Sequence, residues 1–298
     1  MKKKKNFTLG KDWTTQFQLH TLMLPGTVCI IVFSILPLFG LILAFKNYSV
    51  VEGVAGIFTS KWYGFQNFKI IFGNHDFTRM LVNTLGINLL GNLINIPAAL
   101  FFALLINEIA SPFLKKSVQT LTYMPHFISW VVFGGIVITL LSSDGPINRF
   151  LTEIGILSSP IVFMAQPGNF WAIAIISNLI KELGWSTILY TAAIDGAGRF
   201  RRMISITIPC IKGTIMIMVI FAVAGILNNN FDQIYVLQNS FNLERSEVID
   251  TYIYKIGIQQ LQFGMAAAVN ITKSFFSLAL LLLANAIVSK LSDGYGLF

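Results

Sequence analysis

Six long apolar stretches constrain this chain more than any other feature. They cover roughly residues 21–45, 81–107, 118–141, 170–190, 211–228 and 264–289. A helix needs about 20 apolar residues to cross a hydrocarbon core of ~30 Å at ~1.5 Å per residue. Only helices and closed barrels satisfy their own backbone in lipid, so the pattern predicts an all-α integral membrane protein with about six transmembrane helices. The third stretch is the least regular, because Pro125, His126 and Gly134-Gly135 interrupt it. Charge agrees: 11% of residues are charged, against about 25% in an ordinary soluble domain. The net charge of +8 does not point to nucleic acid, since the basic residues sit in short loops between apolar runs rather than on one polar face.

Those basic residues also orient the chain. With the N-terminus inside, Lys2 to Lys5, Lys11, Lys115, Lys116, Arg199, Arg201, Arg202, Lys212 and Lys290 make twelve on the inner side. Lys46, Lys61, Lys69, Arg79, Arg149, Arg245 and Lys255 make seven in longer outer loops. Both termini are therefore expected in the cytoplasm. Polar residues 6–18 follow the N-terminal lysines without a cleavage site, so the first span is expected to target the chain. Of the outer segments, 46–80 carries Trp62, Tyr63, Phe65 and Phe68, which suits an interfacial belt. In 246–262, Val248, Ile249, Tyr252, Ile253 and Ile256 recur at helical spacing opposite Glu247, Asp250 and Lys255. That spacing predicts a short amphipathic helix on the outer surface, acting as a lid on the bundle or as a docking face. No linker or internal repeat divides residues 1–298, which read as a single membrane domain.

Several chemistries lack their residues. There is no G-x-x-x-x-G-K-[ST] loop for phosphates, and no H-E-x-x-H or Cys/His spacing for a metal. The chain is expected to bind no cofactor and to catalyse no reaction. What remains is polar residues inside apolar spans, each costly in lipid and expected to face a bundle interior or a watery cavity. Asn88, Asn92, Asn178, Asn228, Asn229, Asn230, Asn270 and Lys273 are the candidates for a solute path. Asn83 and Asn95 belong to the same polar set. The ordinary role of any single one is an interhelical hydrogen bond worth ~0.6 kcal/mol. Lys181 and Glu182 are neighbours about 100° apart on a helix, so their partners are expected elsewhere.

Between the fourth and fifth spans lies the one dense cluster of charge that separates two long apolar runs. Ala192, Ala193, Asp195, Gly196, Ala197 and Gly198 lead into Arg199, Arg201 and Arg202, and nine residues after Gly196 comes Ile206-Thr207-Ile208-Pro209. This elbow, 191–210, resembles the cytoplasmic signature of permease subunits of bacterial ATP-binding-cassette importers, particularly the carbohydrate branch: Glu-Ala-Ala, three residues, Gly, nine residues, Ile-x-Leu-Pro. The run 193–200 resembles the version in sugar permeases, Phe231-Asp232-Gln233-Ile234 and 246–252 resemble the oligosaccharide or polysaccharide subgroup, and the likeness extends along nearly the whole chain. Aligned on Gly196, the family's glutamate falls on Tyr190 and its first alanine on Thr191, so Ala192 alone keeps the Glu-Ala-Ala half. A further stretch that related permeases carry between Gly184-Trp185 and the signature is absent here.

The resemblance implies an importer permease fold of the type I class in the bacterial cytoplasmic membrane. It implies a second homologous permease subunit, two ATPase subunits that hold ATP and Mg, and an extracytoplasmic solute-binding protein that delivers a sugar. The elbow would then dock in the ATPase, with Ala192, Ala193, Gly196, Ala197 and Gly198 allowing close approach, Asp195 capping, Ile206 and Pro209 closing the motif, and the arginines meeting anionic lipid. The competing class is a stand-alone ion-coupled secondary transporter or channel. It would need intramembrane carboxylates, for which Glu182 is the main candidate.

Overall fold

The computed structural model describes residues 13–194 and 212–291. Every element among them is helical, and an isolated antiparallel bridge joins Lys46 to Trp62. The first helix, α1 (Trp13–Ile30), runs on through a π turn, Ile31–Ile35, and a tight 3-10 segment, Leu36–Phe45. Short helices α2 (Gly56–Thr59) and α3 (Gln66–Gly73) lead to the long α4 (His75–Asn107). Asn74 caps α4 by accepting the Asp76 N–H at 2.9 Å, and Asp76 meets the positive end of the helix. Pro97 lies inside α4, a break in the ladder that packed neighbours make tolerable in a spanning helix.

The third apolar stretch is two helices. α5 (Pro112–Tyr123) starts on a Ser111 cap with Pro112 at its first position, where no N–H is needed. A 3-10 turn, Met124–Phe127, follows, and α6 (Trp130–Leu140) restarts on Ser129. The two axes differ by 99°. Pro125 removes a donor, Met124 stays helical, and the chain turns extended at Ile128 (φ -77°, ψ 134°) and Ser129 (φ -61°, ψ 151°).

Beyond α7 (Pro146–Glu153), α8 (Phe170–Ile194) lies against α4 and α5. Gly86 of α4 sits beneath the Trp171 ring, and Gly184 of α8 against the Thr122 carbonyl; a Cβ at either place would overlap those atoms. The expected elbow begins in the last turn of α8, which holds Ala192 and Ala193. Its other residues, Asp195, Gly196, Ala197, Gly198, Ile206 and Pro209, lie outside the described residues.

The chain resumes with α9 (Lys212–Ala224), α10 (Phe231–Leu237), α11 (Leu243–Ser246), α12 (Ile249–Tyr254), a π turn at Lys255–Gln259, and α13 (Phe263–Leu291). α13 packs on residues 36–45 and on α9, and α10 packs on α6. One core gathers Ala44, Ile71, Met80, Ile249, Ile256 and Val269, and a second gathers Ile87, Phe170, Ile173, Ile234 and Val248. Elsewhere large apolar side chains face outward, among them Phe17, Leu22, Phe33, Leu93, Phe101, Phe275 and Leu283. Such a surface is covered by lipid or by partner helices. Among the described residues, Gln16–Phe45, His75–Asn107 and Phe263–Lys290 are long and apolar enough to cross a membrane, as is the bent pair α5 and α6 taken together.

Candidate functional site

Halfway along α4, Asn88, Asn92 and Asn95 stand at i, i+4 and i+7, a spacing that puts them on one helical face. Asn178 of α8 and Asn229, Asn230 and Gln233 at the start of α10 complete a cavity of about 180 Å³, floored by Ile87, Gly91, Ala174 and Ile175. Its amides are held by main-chain carbonyls. Asn88 Nδ2 donates to Ile226 O at 2.8 Å and to Asn228 O at 3.3 Å. Gln233, 4% exposed, donates through Nε2 to Ala174 O at 2.6 Å and Ser177 Oγ at 3.1 Å. Asn92 Nδ2 lies 3.5 Å from Ala222 O, and Asn230 caps α10 by accepting the Gln233 N–H at 3.2 Å. Two amide oxygens, Asn95 Oδ1 and Asn229 Oδ1, are buried without a hydrogen-bond partner.

The cavity thus joins Asn88, Asn92, Asn178, Asn229 and Asn230 of the sequence candidates. Asn228 contributes its backbone carbonyl to Asn88 from beside the cavity, and Asn270 is exposed on α13. Lys273 is elsewhere, ion-paired to Asp250 on α12 at the edge of an apolar groove. Asp250 also accepts the Asn229 N–H at 2.9 Å, so this ion pair anchors one wall of the cavity from behind. Gln233 has no isolated sequence signal as a wall residue. Its role depends on α10 folding back against α8.

One turn beyond Asn178 on α8, a charged cluster closes the break in the third stretch. Lys181, 3% exposed, donates to the carbonyls of Pro125 at 3.1 Å and His126 at 2.7 Å. Pro125 O also accepts the Ile128 N–H at 3.2 Å, so the ammonium adds a second donor there and caps His126 O at the end of the turn. Glu182 Oε2 meets His126 Nδ1 at 2.6 Å, and the His126 ring stacks on Trp185 at 4.3 Å. The principal partners of Lys181 and Glu182 are on another element, as expected. The two side chains also approach each other at 3.6 Å, a contact that backbone angles alone do not anticipate because both side chains are long.

At the end where α4, α8 and α13 begin, the 243–259 segment is locked in place. Glu247, 2% exposed, accepts from Arg79 at 3.0 Å and Lys255 at 2.9 Å. Asn83 donates to the Glu244 and Glu247 carbonyls at 3.0 Å each, and Trp171 Nε1 to Arg245 O at 3.0 Å. The amphipathic reading of this segment holds for its apolar side, since Val248, Ile249, Tyr252 and Ile256 are buried. It fails for Glu247, which turns inward because Arg79 and Lys255 offset its desolvation. The Tyr252 hydroxyl is raised above its ordinary value, first by burial and then by the Glu247 and Asp76 carboxylates.

No model of a known protein family matches the chain. Individual relatives do. Protein LplB of Bacillus subtilis (strain 168) is 37% identical over 294 residues, which span 94% of this chain and 91% of that protein. The polygalacturonan/rhamnogalacturonan transport system permease protein YteP of the same organism is 35% identical over 306 residues, spanning 98% and 94%. Among solved structures, a chain of a bacterial importer of the acidic polysaccharide alginate superposes with a TM-score of 0.84 at 34% identity, covering 95% of this chain and 98% of its own. The same importer in complex with an alginate pentasaccharide-bound periplasmic protein gives 0.84 over 97% and 99%. With an all-helical fold, lipid-type surfaces and relatives this similar along nearly their full length, the chain belongs to the membrane-spanning permease subunits of ATP-binding-cassette sugar importers.

Proposed function

We propose that this permease forms one half of the route by which a sugar or oligosaccharide crosses the bacterial cytoplasmic membrane, and that the amide cavity between α4, α8 and α10 is its share of the solute path. The observation that carries this reading is the pair of buried, unpartnered amide oxygens, Asn95 Oδ1 and Asn229 Oδ1. A structure rarely leaves such groups unsatisfied unless something else satisfies them. About 180 Å³ is less than the roughly 300–1,000 Å³ of a whole ligand site, in keeping with one wall of a passage completed by the second permease.

In this reading six spans cross the membrane with both termini in the cytoplasm. A loaded solute-binding protein docks on the side of the 229–262 segment, and ATP and Mg are held by two partner ATPase subunits. ATP-driven closure acts on the elbow, 191–210. It reaches the path through α8, because Asn178 lies on the helix that ends at Ile194, directly before Asp195. The permease breaks no bond. Its work is alternating access, with the broken third stretch giving α6 a direction independent of α5. Ala192, Ala193, Gly196, Ala197 and Gly198 let the elbow approach the ATPase closely, and Asp195, Ile206 and Pro209 shape its ends.

Gly196→Trp tests the elbow. The variant is expected to insert normally while losing at least about tenfold in ATP-driven uptake, because the bulky ring blocks close packing. Uptake in membrane vesicles and co-purification of the ATPases measure it. Wild-type uptake by this variant would remove the elbow from the mechanism.

A further inference from the structure

We propose that Lys181, Glu182 and Trp185 are positioning residues that weld α5 and the turn at Met124–Phe127 to α8, so that the third stretch flexes at Ile128 and Ser129 and α6 swings against the elbow helix. This rests on the reading of the elbow as the point where the ATPases push. Four of the residues 181–185 grip one short piece of chain. Lys181 donates to the carbonyls of Pro125 and His126, Glu182 Oε2 meets His126 Nδ1 at 2.6 Å, and Trp185 lies parallel to the His126 ring at 4.3 Å. Gly184 comes so close that a Cβ there would stand 2.2 Å from Thr122 O. A surface packed to that density slides only by breaking its contacts, and freeing the buried Lys181 ammonium would leave a cation without partners.

The outer half of the stretch is held by another element. Ile128 and Ser129 are extended, and α6 begins at Trp130, whose ring centroid is 5.4 Å from the Lys181 ammonium. The pivot therefore lies at this ammonium. Farther along, α6 packs on α10, with Gly134 against the Val236 side chain. Between Val137 and Leu140 of α6 and Ile173, Ile176 and Ile180 of α8 opens an apolar groove of about 380 Å³. Hinges are a few residues at element ends that absorb a change in backbone angles. Two extended residues, between a turn fixed to α8 and a helix fixed to α10, meet that description. From residue 185 α8 continues helical to Ile194, directly before Asp195, so a push at the elbow reaches the turn without a joint in between.

The test uses the whole importer, with partner permease, ATPases and solute-binding protein, in lipid nanodiscs. Cys29 and Cys210 are replaced by serine, and spin labels are attached in pairs at exposed positions, Lys116→Cys on α5 with Ile176→Cys on α8, and Lys116→Cys with Ile138→Cys on α6. Pulsed electron-resonance distances are read without nucleotide and with a non-hydrolysable ATP analogue. The 116–176 distance is expected to be the same in both states, and the 116–138 distance to shift by about 2 Å or more, the scale of helix shifts in switching proteins. In His126→Ala and in Glu182→Leu, saccharide imported per ATP hydrolysed is expected to fall about fivefold, within the range by which single residues alter coupling, while each assembled complex hydrolyses ATP as before.

A 116–176 distance that shifts as much as the 116–138 distance overturns the proposal, and so does an unchanged 116–138 distance in a complex that imports. These two readings need no variant of the welding residues, so they stand even if such a variant fails to assemble. A ratio of import to hydrolysis that stays at the wild-type value in both variants also overturns it, since contacts that serve stability alone change the amount of complex and not the ratio. Each of these results leaves the elbow reading intact. Wild-type uptake by Gly196→Trp would instead sink the elbow reading, and the weld's role in transport with it.

Discussion

Lys181 is the residue whose surroundings say most about its purpose. It is 3% exposed, and its ammonium donates to two carbonyls at the break, those of Pro125 and His126. Lys181→Met would leave those carbonyls and Glu182 without their cation in a buried setting, and is expected to cost roughly 2–4 kcal/mol. Thermal denaturation of the purified protein measures this, with Glu182→Gln expected to cost less because Glu182 is partly exposed and also faces His126. A Lys181→Met protein as stable as wild type would show that the break holds itself. Part of this residue-level picture was legible beforehand. The Asn88, Asn92 and Asn95 spacing marks one face of a helix in any amphipathic reading. Asp250 with Lys273, and His126 with Glu182, were not legible. Their chain separations of 23 and 56 residues mean that only the folded angles between helices bring them together.

Elements divide the same way. Apolar runs locate helices because burial in lipid rewards every residue of the run, and α1, α4 and α5 each start before their run, at Trp13, His75 and Pro112. The 99° between α5 and α6 falls at the extended Ile128 and Ser129, beside the carbonyls that Lys181 from α8 meets, so it depends on tertiary packing as well as on local sequence. The locked segment, 243–259, gives its own test. Burial, with help from Glu247 and Asp76, holds the Tyr252 hydroxyl above its ordinary 10.0. The unfolded chain therefore loses this proton at lower pH than the native one. Tyr252's share of stability is intact below pH 10.0 and drains away as pH climbs through the raised native value. Melting temperatures of wild type should fall above that pH, and those of Tyr252→Phe should fall less. Parallel curves for the two proteins would show that the hydroxyl is not held in this way.

At the scale of the whole molecule, the polar features fall along one route. The locked segment 243–259 meets the start of α4 and α8, the amide cavity lies halfway down them, the Lys181 cluster follows one turn later, and α8 ends where the elbow begins. Residues able to drive transport alone are scarce on that route, since Glu182 is engaged by His126 and Lys181, and the family to which the chain belongs draws its power from ATP. The proposed elbow stands out in the sequence alone, because a dense basic loop between two apolar runs is visible on any hydropathy reading. The cavity was only half legible, because it needs α10 folded onto α8. Transport by the reconstituted complex tests the central claim most directly. With this permease, its partner permease, the two ATPases and the solute-binding protein in proteoliposomes, saccharide uptake is predicted to require ATP on the elbow side and to ignore collapse of ion gradients. Uptake by this chain on an ion gradient, with no ATPase present, would contradict the account.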